Sequence, residues 1–598
     1  MNEVWYLCYD VRGIQQFIYS VPKLKYVVGG SLLVSQFDQR AKNCGVGDCV
    51  FTGGGRGMFS CSSKQCAEQL RHQLIPLAHE VGLDLRIGIR ENPSDAARYA
   101  DDLYPFLPDL NPGEPCAASG FWPVDPEDQK TPGIPSYLRD VHPVIRKRIE
   151  AVKEAQEQTR ELQEQRRTHD GTVPFNLENG TAKYPEQWIF QELMERNRDR
   201  AKPLHELLFC SGEVQFLSSV HADEEEDEAF RSLANKADVA LGSRNRWAIL
   251  SMDGNDMGAQ FREFQRHNDT TTSEGQNRLH QWLRIMSDEL DRCTKQAFLV
   301  GLETVLEEWW RDEGHSLLES ERHRSPVILP FRPLIIGGDD VLCICHASYA
   351  MKLAEEIIRQ FEKHSRSAAD RAAKDQHKDP HFSLWPATNG CLTISAGIVY
   401  AKVTLPLFNA IPYAESLLGG AKKKFRQKTR EGEKPLKPGP PTSAAIDWES
   451  ITETMLDTPT ARRKREMYFY DQDLGVDIFL YGRPYKATEI TYLREQAQML
   501  GHAGQVSVPR SVLAEVMTVL QLPWAKRAQR FAALRKRQPH LVDKVQDFTT
   551  EDSSGDRGEF WRRNSDGTKR SWTCIFADIL SLMEEEIRME QNTIQQKP

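Results

Sequence analysis

The chain has 598 residues and a mass of 68.4 kDa, which at roughly 150 residues per domain predicts about three to five domains rather than one core. Its 39% hydrophobic and 27% charged content excludes wholesale disorder. With 77 Lys plus Arg against 86 Asp plus Glu, a formal net charge of -9 excludes a polycation built to coat nucleic acid.

No run approaches the ~18 apolar residues of a membrane span. The opening MNEVWYLCYDVRG has no basic region followed by an apolar core and a cleavage site. A cytoplasmic protein without membrane contact is expected. The 12 cysteines include no C-x-x-C pair, so reduced core thiols are expected rather than a disulfide framework or a zinc ribbon.

In chain order, VWYLCYD (Val4 to Asp10) reads as an apolar strand, and Ile14, Phe17, Ile18 and Val21 follow at helical spacing up to Pro22. DCVFT and GMFSC, separated by Gly53, Gly54, Gly55 and Arg56, read as a hairpin with a glycine tip. A helix from about Lys64 to Val81 and the strand LDLRIGI (Leu83 to Ile89) complete a ferredoxin-like unit.

Residues 95–240 hold a proline-rich loop, the charged segment VIRKRIEAVKEAQEQTRELQEQRR and the acidic run ADEEEDEAF (Ala222 to Phe230). With few apolar residues, the charged segment predicts a solvated helix or a contact surface for another subunit. The acidic run reads as a solvated helix start.

The strand-helix-hairpin-helix-strand order then recurs. RWAILSMD (Arg246 to Asp253) is a buried strand ending in an aspartate, followed by the turn GNDMG and helices to about Asp312. PLIIGGDDVLCICH (Pro333 to His346) is a hairpin with Gly337, Gly338, Asp339 and Asp340 at its tip. An amphipathic helix carries Ala350, Leu353, Ala354, Ile357, Ile358 and Phe361 on one face. LTISAGIVYA (Leu392 to Ala401) is a fourth strand, and Pro406 to Phe425 a helix or helix pair ending in a lysine cluster. SAAIDWES reads as an edge strand, and the chain from about 480 as a four-helix-like region. The chain therefore holds two diverged copies of one α/β unit, with GGG at one hairpin tip and GGDD at the other.

Asp253 ends one strand, and a ferredoxin-like sheet would set the tip carrying Asp339 and Asp340 beside it. Magnesium prefers hard oxygen ligands and is typically held by one or two carboxylates together with substrate phosphates. Paired metals can activate a hydroxyl and neutralise a departing pyrophosphate, so little acid–base machinery is needed. Gly337 and Gly338 would allow a sharp turn and a close approach to a nucleotide. Asp253 alone reads as a turn former, and Gly-Gly-Asp-Asp alone as common turn composition. The two apolar strands, the Asp-Gly and the Lys-rich helix end together point to a Palm-type cyclase or polymerase site.

In the first unit Gly53, Gly54 and Gly55 leave backbone N–H groups uncovered beside Arg56, which suits phosphate or ribose oxygens. Asp10 survives there, but one carboxylate is a poor magnesium site.

MDGNDMG at 252–258, LIIGGDDVL at 334–342, TISAGIVYA at 393–401 and AESLLGGAKKKF at 414–425 resemble the large Palm-domain subunit of type III CRISPR-Cas effector complexes, the Csm and Cmr systems. DVRGIQQFIYSVPKLKYVVGGSLLVSQF at 10–37 looks like the opening of that family's first Palm, and RPY at 483–485 and the helical tail extend the similarity to most of the chain.

The resemblance implies a first Palm at 1–94, a helical middle domain at 95–240, a second Palm with the GGDD site at 241–475 and a C-terminal helical domain at 476–598. It implies synthesis of cyclic oligoadenylate from ATP with Mg2+ or Mn2+ when the complex engages foreign RNA. The partners would be other Csm- or Cmr-type effector subunits, CRISPR RNA and target RNA. Carried over are Asp253, Asp339 and Asp340 as catalytic metal ligands. Gly254, Asn255, Asp256, Gly258, Lys422, Lys423 and Lys424 match the nucleotide- and phosphate-contacting segments. Ser395 reads either as approaching the base or as a small core residue.

Relatives often begin with a histidine–aspartate nuclease domain, whereas here the first Palm starts near residue 4, so no such nuclease is expected. His169-Asp170 sits in the turn-like THDGTVP without metal-spaced histidines. Relatives also commonly carry a four-cysteine zinc site; no structural zinc is expected, and Cys343 and Cys345 read as core thiols. The alternatives are a stand-alone GGDEF-like dinucleotide cyclase and a catalytically silent scaffold. The basic segments 421–430, 461–466 and 525–538 suit either RNA phosphates or solvated helix faces.

Overall fold

The computed structural model describes residues 4–21, 24–98, 102–105, 114–115, 123–124, 141–168, 185–199, 201–210, 214–216, 246–268, 272–311, 327–375, 382–388, 390–402, 405, 407–425, 442–451, 457–501, 510–539, 561–564 and 571–586. His169-Asp170, the acidic run at 222–230 and the basic loop 426–441 lie outside the described residues. No described helix is long and apolar enough to cross a membrane. The fold class is α/β, as the sequence predicts.

The first unit runs β1 (Trp5–Val11), α1 (Ile14–Tyr19), α2 (Leu24–Lys42), β2 (Asp48–Gly53), β3 (Arg56–Cys61), α3 (Lys64–Glu80), β4 (Leu85–Arg90), α4 (Pro93–Arg98) and β5 (Asp102–Tyr104). Its sheet has the order β2-β3-β1-β4-β5, antiparallel throughout, which is the expected ferredoxin-like arrangement with one added edge strand. Next come β6 (Glu114–Pro115), β7 (Pro123–Val124), α5 (Pro143–Thr168), α6 (Pro185–Arg196) and β8 (Val214–Phe216).

The second unit runs β9 (Arg246–Gly254), α7 (Met257–His267), α8 (Ser273–Trp309), β10 (Val327–Leu329), β11 (Phe331–Gly337), β12 (Asp340–His346), α9 (Ala350–Asp375), β13 (Ile394–Lys402), α10 (Leu407–Phe425) and β14 (Ala445–Ile451). The rest comprises α11 (Pro459–Glu466), β15 (Tyr468–Asp471), β16 (Val476–Phe479), β17 (Tyr485–Lys486), α12 (Ala487–Gly501), α13 (Arg510–Leu520), α14 (Trp524–Arg535), β18 (Trp561–Asn564), β19 (Ser571–Cys574) and α15 (Phe576–Glu586). The second sheet has the order β11-β12-β9-β13-β14-β17. The segment expected as an edge strand, β14, therefore lies inside the sheet, parallel to β13 and capped by the two-residue β17.

Both central strands are apolar on both faces, because each sheet is covered twice. In β9, Ala248, Leu250 and Met252 face the unit's own α8 and α9, while Trp247 and Ile249 join the core of the first unit. In β1, Leu7 and Tyr9 face α2 and α3, while Tyr6 and Cys8 pack with Phe264, Leu279 and Trp282 of the second unit. Each unit thus lends a helix to the other's open sheet face. Full burial of an aliphatic or aromatic side chain contributes about 1.5–3 kcal/mol, so this exchange holds the pair together.

The charged helix α5 corrects an expectation. It is not solvated: Ile145, Ile149, Val152 and Ala155 are buried, and it lies along α2. A Cβ on Gly29 would stand 2.1 Å from the Arg148 carbonyl oxygen, so the two backbones touch. Arg148 is fully buried over the Phe17 ring, 4.3 Å from its centroid, and donates to Phe17 O at 2.7 Å and Ser20 Oγ at 3.0 Å.

The C-terminal part is not purely helical either. β15, β16, β19 and β18 form a four-stranded sheet, and the expected boundary at 475 falls in the β15–β16 turn. Arg463 grips Asp447 at 2.8 and 3.0 Å and Glu449 at 2.9 Å. Arg483 pairs with Asp578 at 2.7 Å, and Tyr485 donates to the same carboxylate at 2.6 Å. Arg527 pairs with Asp471 at 2.6 Å. All three arginines are buried. Two of the basic segments read as RNA-contacting therefore commit an arginine to the interior, where losing one partner of such a pair costs about 3–5 kcal/mol.

Candidate active site

The site begins as a strand register. On β9, Asp253 stands opposite Asp340 of β12 on one side and Ser395 of β13 on the other. Side chains alternate along a strand, so Asp253 shares the face of Trp247 and Ile249, and Asp340 that of Leu342 and Ile344. Both carboxylates therefore lie on the face turned to the first Palm-like unit.

Between β11 and β12 the loop is two residues, Gly338 and Asp339, and Gly338 adopts φ +60, the left-handed backbone that such a hairpin demands. Gly254 N–H donates to Asp339 O at 3.1 Å, and a Cβ on Gly254 would come within 2.8 Å of Asp339 Cβ. Glycine at 254 is what lets Asp339 fold over the end of β9. From α8, Thr294 Oγ donates to Gly338 O at 2.5 Å, while Gly338 N–H reaches Asp291 at 3.4 Å.

Asp253, Asp339 and Asp340 each place a carboxylate oxygen within 4.8 Å of the others. Burial and the Asp340 and Asp253 charges push the Asp339 carboxyl up to about 8. Burial and the Asp253 charge push Asp340 up to about 6, moderated by Lys422 and Arg56. Lys422 forms an ion pair with Asp253 and donates to Gly254 O at 2.7 Å. Three hard-oxygen donors that repel one another fit a divalent cation.

The helix α10 meets β13 backbone to backbone, since a Cβ on Gly397 would lie 2.2 Å from Ala414 O. This contact carries Lys422 and, two turns earlier, Glu415 onto the same face. Glu415 accepts from Gln15 Nε2 of α1 at 2.6 Å, and burial with the Asp340 charge pushes it up to about 7. Tyr19, one turn beyond Gln15, has a buried hydroxyl with no hydrogen-bond partner among the described residues. Burial and the Glu415 and Asp340 charges raise its phenol above its ordinary value. Glu415, Gln15, Tyr19, Asp291 and Thr294 escaped the sequence reading. The seven-residue spacing of Glu415 and Lys422 on one helix was the available signal.

Other candidates are engaged in hydrogen bonds beside the site. Asn255 is buried and donates to Thr393 Oγ at 2.8 Å and Ser395 Oγ at 3.0 Å. Ser395 is fully buried and also accepts from Ala445 N–H at 3.2 Å, which is the small-core-residue reading of it. Asp256, at φ 64, accepts from Thr442 N–H and Oγ at 2.8 Å each, so its carboxylate fastens a turn. Gly258 stands in the first turn of α7. Of the three lysines, Lys422 faces the carboxylates, Lys423 is exposed, and Lys424 donates to Gly482 O and Pro484 O at 2.8 Å each.

At the first unit's tip, Asp10 stands opposite Arg56, and Arg56 Nε donates to Asp10 at 2.8 Å. The Gly55 N–H is not uncovered, because it donates to the buried Asp38 at 2.8 Å. Gly54, at φ +59, has open space where a side chain would stand.

Residues 246–430 match the family model described as Cas10/Cmr2, second palm domain. Among solved structures, the chain is similar to a Csm1-Csm4 cassette in complex with cA4, at 12% identity over 92% of this chain and 65% of that one, TM-score 0.41. It is similar to Csm1 from T. onnurineus at 14% identity over 90% and 64%, TM-score 0.41. A Csm1-Csm4 cassette in complex with one ATP matches at 12% identity over 98% and 70%, TM-score 0.42. The chain thus spans less than two thirds of the first two of these chains. No curated protein matches it. The carboxylate triad lies inside the matched segment, so residues 246–430, with Asp253, Asp339 and Asp340, are similar to the second palm domain of Cas10/Cmr2.

Proposed function

We propose that this protein is a magnesium-dependent nucleotidyltransferase that converts ATP into cyclic oligoadenylate, as the signalling subunit of an RNA-guided type III CRISPR complex. The observation that carries the reading is the register that sets Asp253 against Asp340 with Asp339 folded over both, inside the segment that matches the family's second palm domain.

Asp253, Asp339 and Asp340 would hold the divalent cation, which when bound supplies Lewis-acid activation of a hydroxyl and charge compensation at phosphate. The chain's own groups do the rest. Lys422, already drawn to the carboxylates, offers a cation to phosphate oxygens. The Gly338 turn, pinned by Thr294 and Asp291, holds the carboxylates in place before substrate arrives. The first Palm closes the opposite side of the cleft and brings Arg56, Gln15 and Tyr19 to it. We take the partners to be Csm- or Cmr-type effector subunits, CRISPR RNA and target RNA. The domain limits we propose are those read from the sequence, with β15 and β16 moved to the C-terminal unit.

The test is to incubate the full chain, alone and within a matched guide complex with target RNA, with each nucleotide and Mg2+ or Mn2+, and to identify products by mass. Cyclic oligoadenylate that needs the complex supports the reading. A cyclic dinucleotide from the chain alone would favour the stand-alone cyclase, and no product under any condition the silent scaffold.

A further inference from the structure

The two hairpin tips are equivalent position by position. Gly53 pairs with Arg56 across the first tip, as Gly337 pairs with Asp340 across the second, with two-residue loops between. Asp10 stands opposite Arg56 as Asp253 stands opposite Asp340. Arg56 therefore occupies the position of a metal-binding carboxylate with the charge reversed.

Strand alternation fixes where this cation faces. Arg56 shares its face of β3 with Met58, and Asp10 its face of β1 with Cys8 and Tyr6; those three pack against the second Palm. Asp253 and Asp340 face the first Palm by the same rule. Ile14 of α1 closes over Gly55 at the first tip, and its neighbour Gln15 donates to Glu415 of α10 at 2.6 Å, so both tips border one cleft.

Its hydrogen bonding is half spent. Asp10 takes Nε at 2.8 Å, and neither Nη group has a partner among the described residues. The side chain is 74% exposed, so the fork is open to a ligand from the cleft. A guanidinium with both Nη groups free matches two oxygens of a phosphate.

We propose that Arg56 is a phosphate-binding residue that the first Palm supplies to the site of the second, with Asp10 as its positioning residue; this rests on the nucleotidyltransferase reading above. In that reaction the acceptor's 3′-oxygen bonds to the α-phosphorus of a second ATP, and the bond from that phosphorus to the β-bridging oxygen breaks. Pyrophosphate leaves with the bonding electron pair, and the hydroxyl proton passes to solvent. Negative charge grows on the β-phosphate, and the free guanidinium fork compensates it from the side opposite the carboxylates.

The experiment measures binding of ATP, ADP, AMP and adenosine to the full chain in Mg2+, alongside turnover in the assembled complex. Arg56→Gln should weaken ATP and ADP by roughly tenfold, the cost of one charge-assisted contact, and leave adenosine unchanged. Arg56→Lys should recover part of the loss. Asp10→Asn should raise KM for ATP a few-fold with little change in kcat, as expected if it only aims the guanidinium. Equal losses for ATP and adenosine, or no loss for either, would overturn the assignment. Should the wild-type complex bind nucleotides yet make no product, the nucleotidyltransferase reading falls while the ATP-against-adenosine comparison still decides the role of Arg56.

Discussion

The two α/β units share one register and differ in what fills it. In the second, Asp253 meets Asp340, and Gly254 makes room for Asp339. In the first, Asp10 meets Arg56, and the residue after the aspartate is Val11, which makes no such room. Gly55 stands there in place of Asp339, and a Cβ on it would come within 2.3 Å of Ile14 Cδ1 and 3.2 Å of Val11 Cβ. The bulky and small positions have changed sides. A carboxylate tip is thus a property of three places together, and the first unit has none of the three.

The largest effect should come from removing the feature that only the second Palm has. Asp339→Ala with Asp340→Ala is expected to lower messenger synthesis at least about a thousandfold, the scale of losing transition-state charge stabilisation. Thermal unfolding and complex assembly should stay near wild type, and undiminished product would remove the catalytic assignment.

The tips also differ in their support. Asp38, beneath the first tip, is buried and accepts from Tyr9 Oη and Gly55 N–H at 2.8 Å each. Burial still pushes its carboxyl from 3.8 up to about 7. The native state then holds a proton that the unfolded chain releases, so its contribution is present below about pH 4 and is lost as pH rises to about 7. Urea unfolding at pH 5 and pH 8 should show wild type losing about 2–4 kcal/mol more than Asp38→Asn over that interval. Parallel behaviour of the two proteins would show that Asp38 is ionised throughout.

A smaller loss is expected where the bulky and small positions are mixed. Gly254→Ala places a methyl against Asp339 Cβ, and about a ten- to hundredfold drop in synthesis should follow, since small misplacements of catalytic groups carry that cost. Gly55→Asp with Arg56→Asp in the first Palm should not create a second metal site, because Ile14 and Val11 already fill the space. Manganese titration of that variant would check this by counting bound ions.

The smallest effect belongs to Asp291, the second tip's counterpart of Asp38. It is 38% exposed and paired with Lys295 at 2.6 Å, so Asp291→Asn should cost below about 1 kcal/mol in urea unfolding. A loss as large as that of a buried pair would mean that the second tip leans on this acid as the first leans on Asp38.

The local patterns were readable. Apolar strands, glycine tips and the Asp-Gly before GGDD marked both units and the carboxylate triad, because period and turn chemistry are local properties. Charged residues misled where their partners are remote. The segment ARRKRE looks like a phosphate-binding face, yet Arg463 is sunk between Asp447 and Glu449, and only the sheet brings those together. α5 looked solvated because Arg148 hides against backbone carbonyls that no composition reveals. Glu415 and Gln15, 400 residues apart, meet only because the two units exchange helices. Ser395, a base contact in one reading, is held under the site by a hydrogen-bond network that crosses three strands.

The buried arginines also set an order of events during synthesis. Arg463 emerges after Asp447 and Glu449, 16 and 14 residues earlier, so its counter-charges are waiting for it. Arg483 finds Glu449, made earlier, at 3.7 Å, but its closer partner Asp578 comes 95 residues later, a delay of about 5–20 s at ribosomal speed. Until then the rim of the second sheet holds a half-paired cation, and chaperone contact or proteolysis of the nascent chain should concentrate there. A ribosome stalled before Asp578 would hold an otherwise assembled Palm with one open seam.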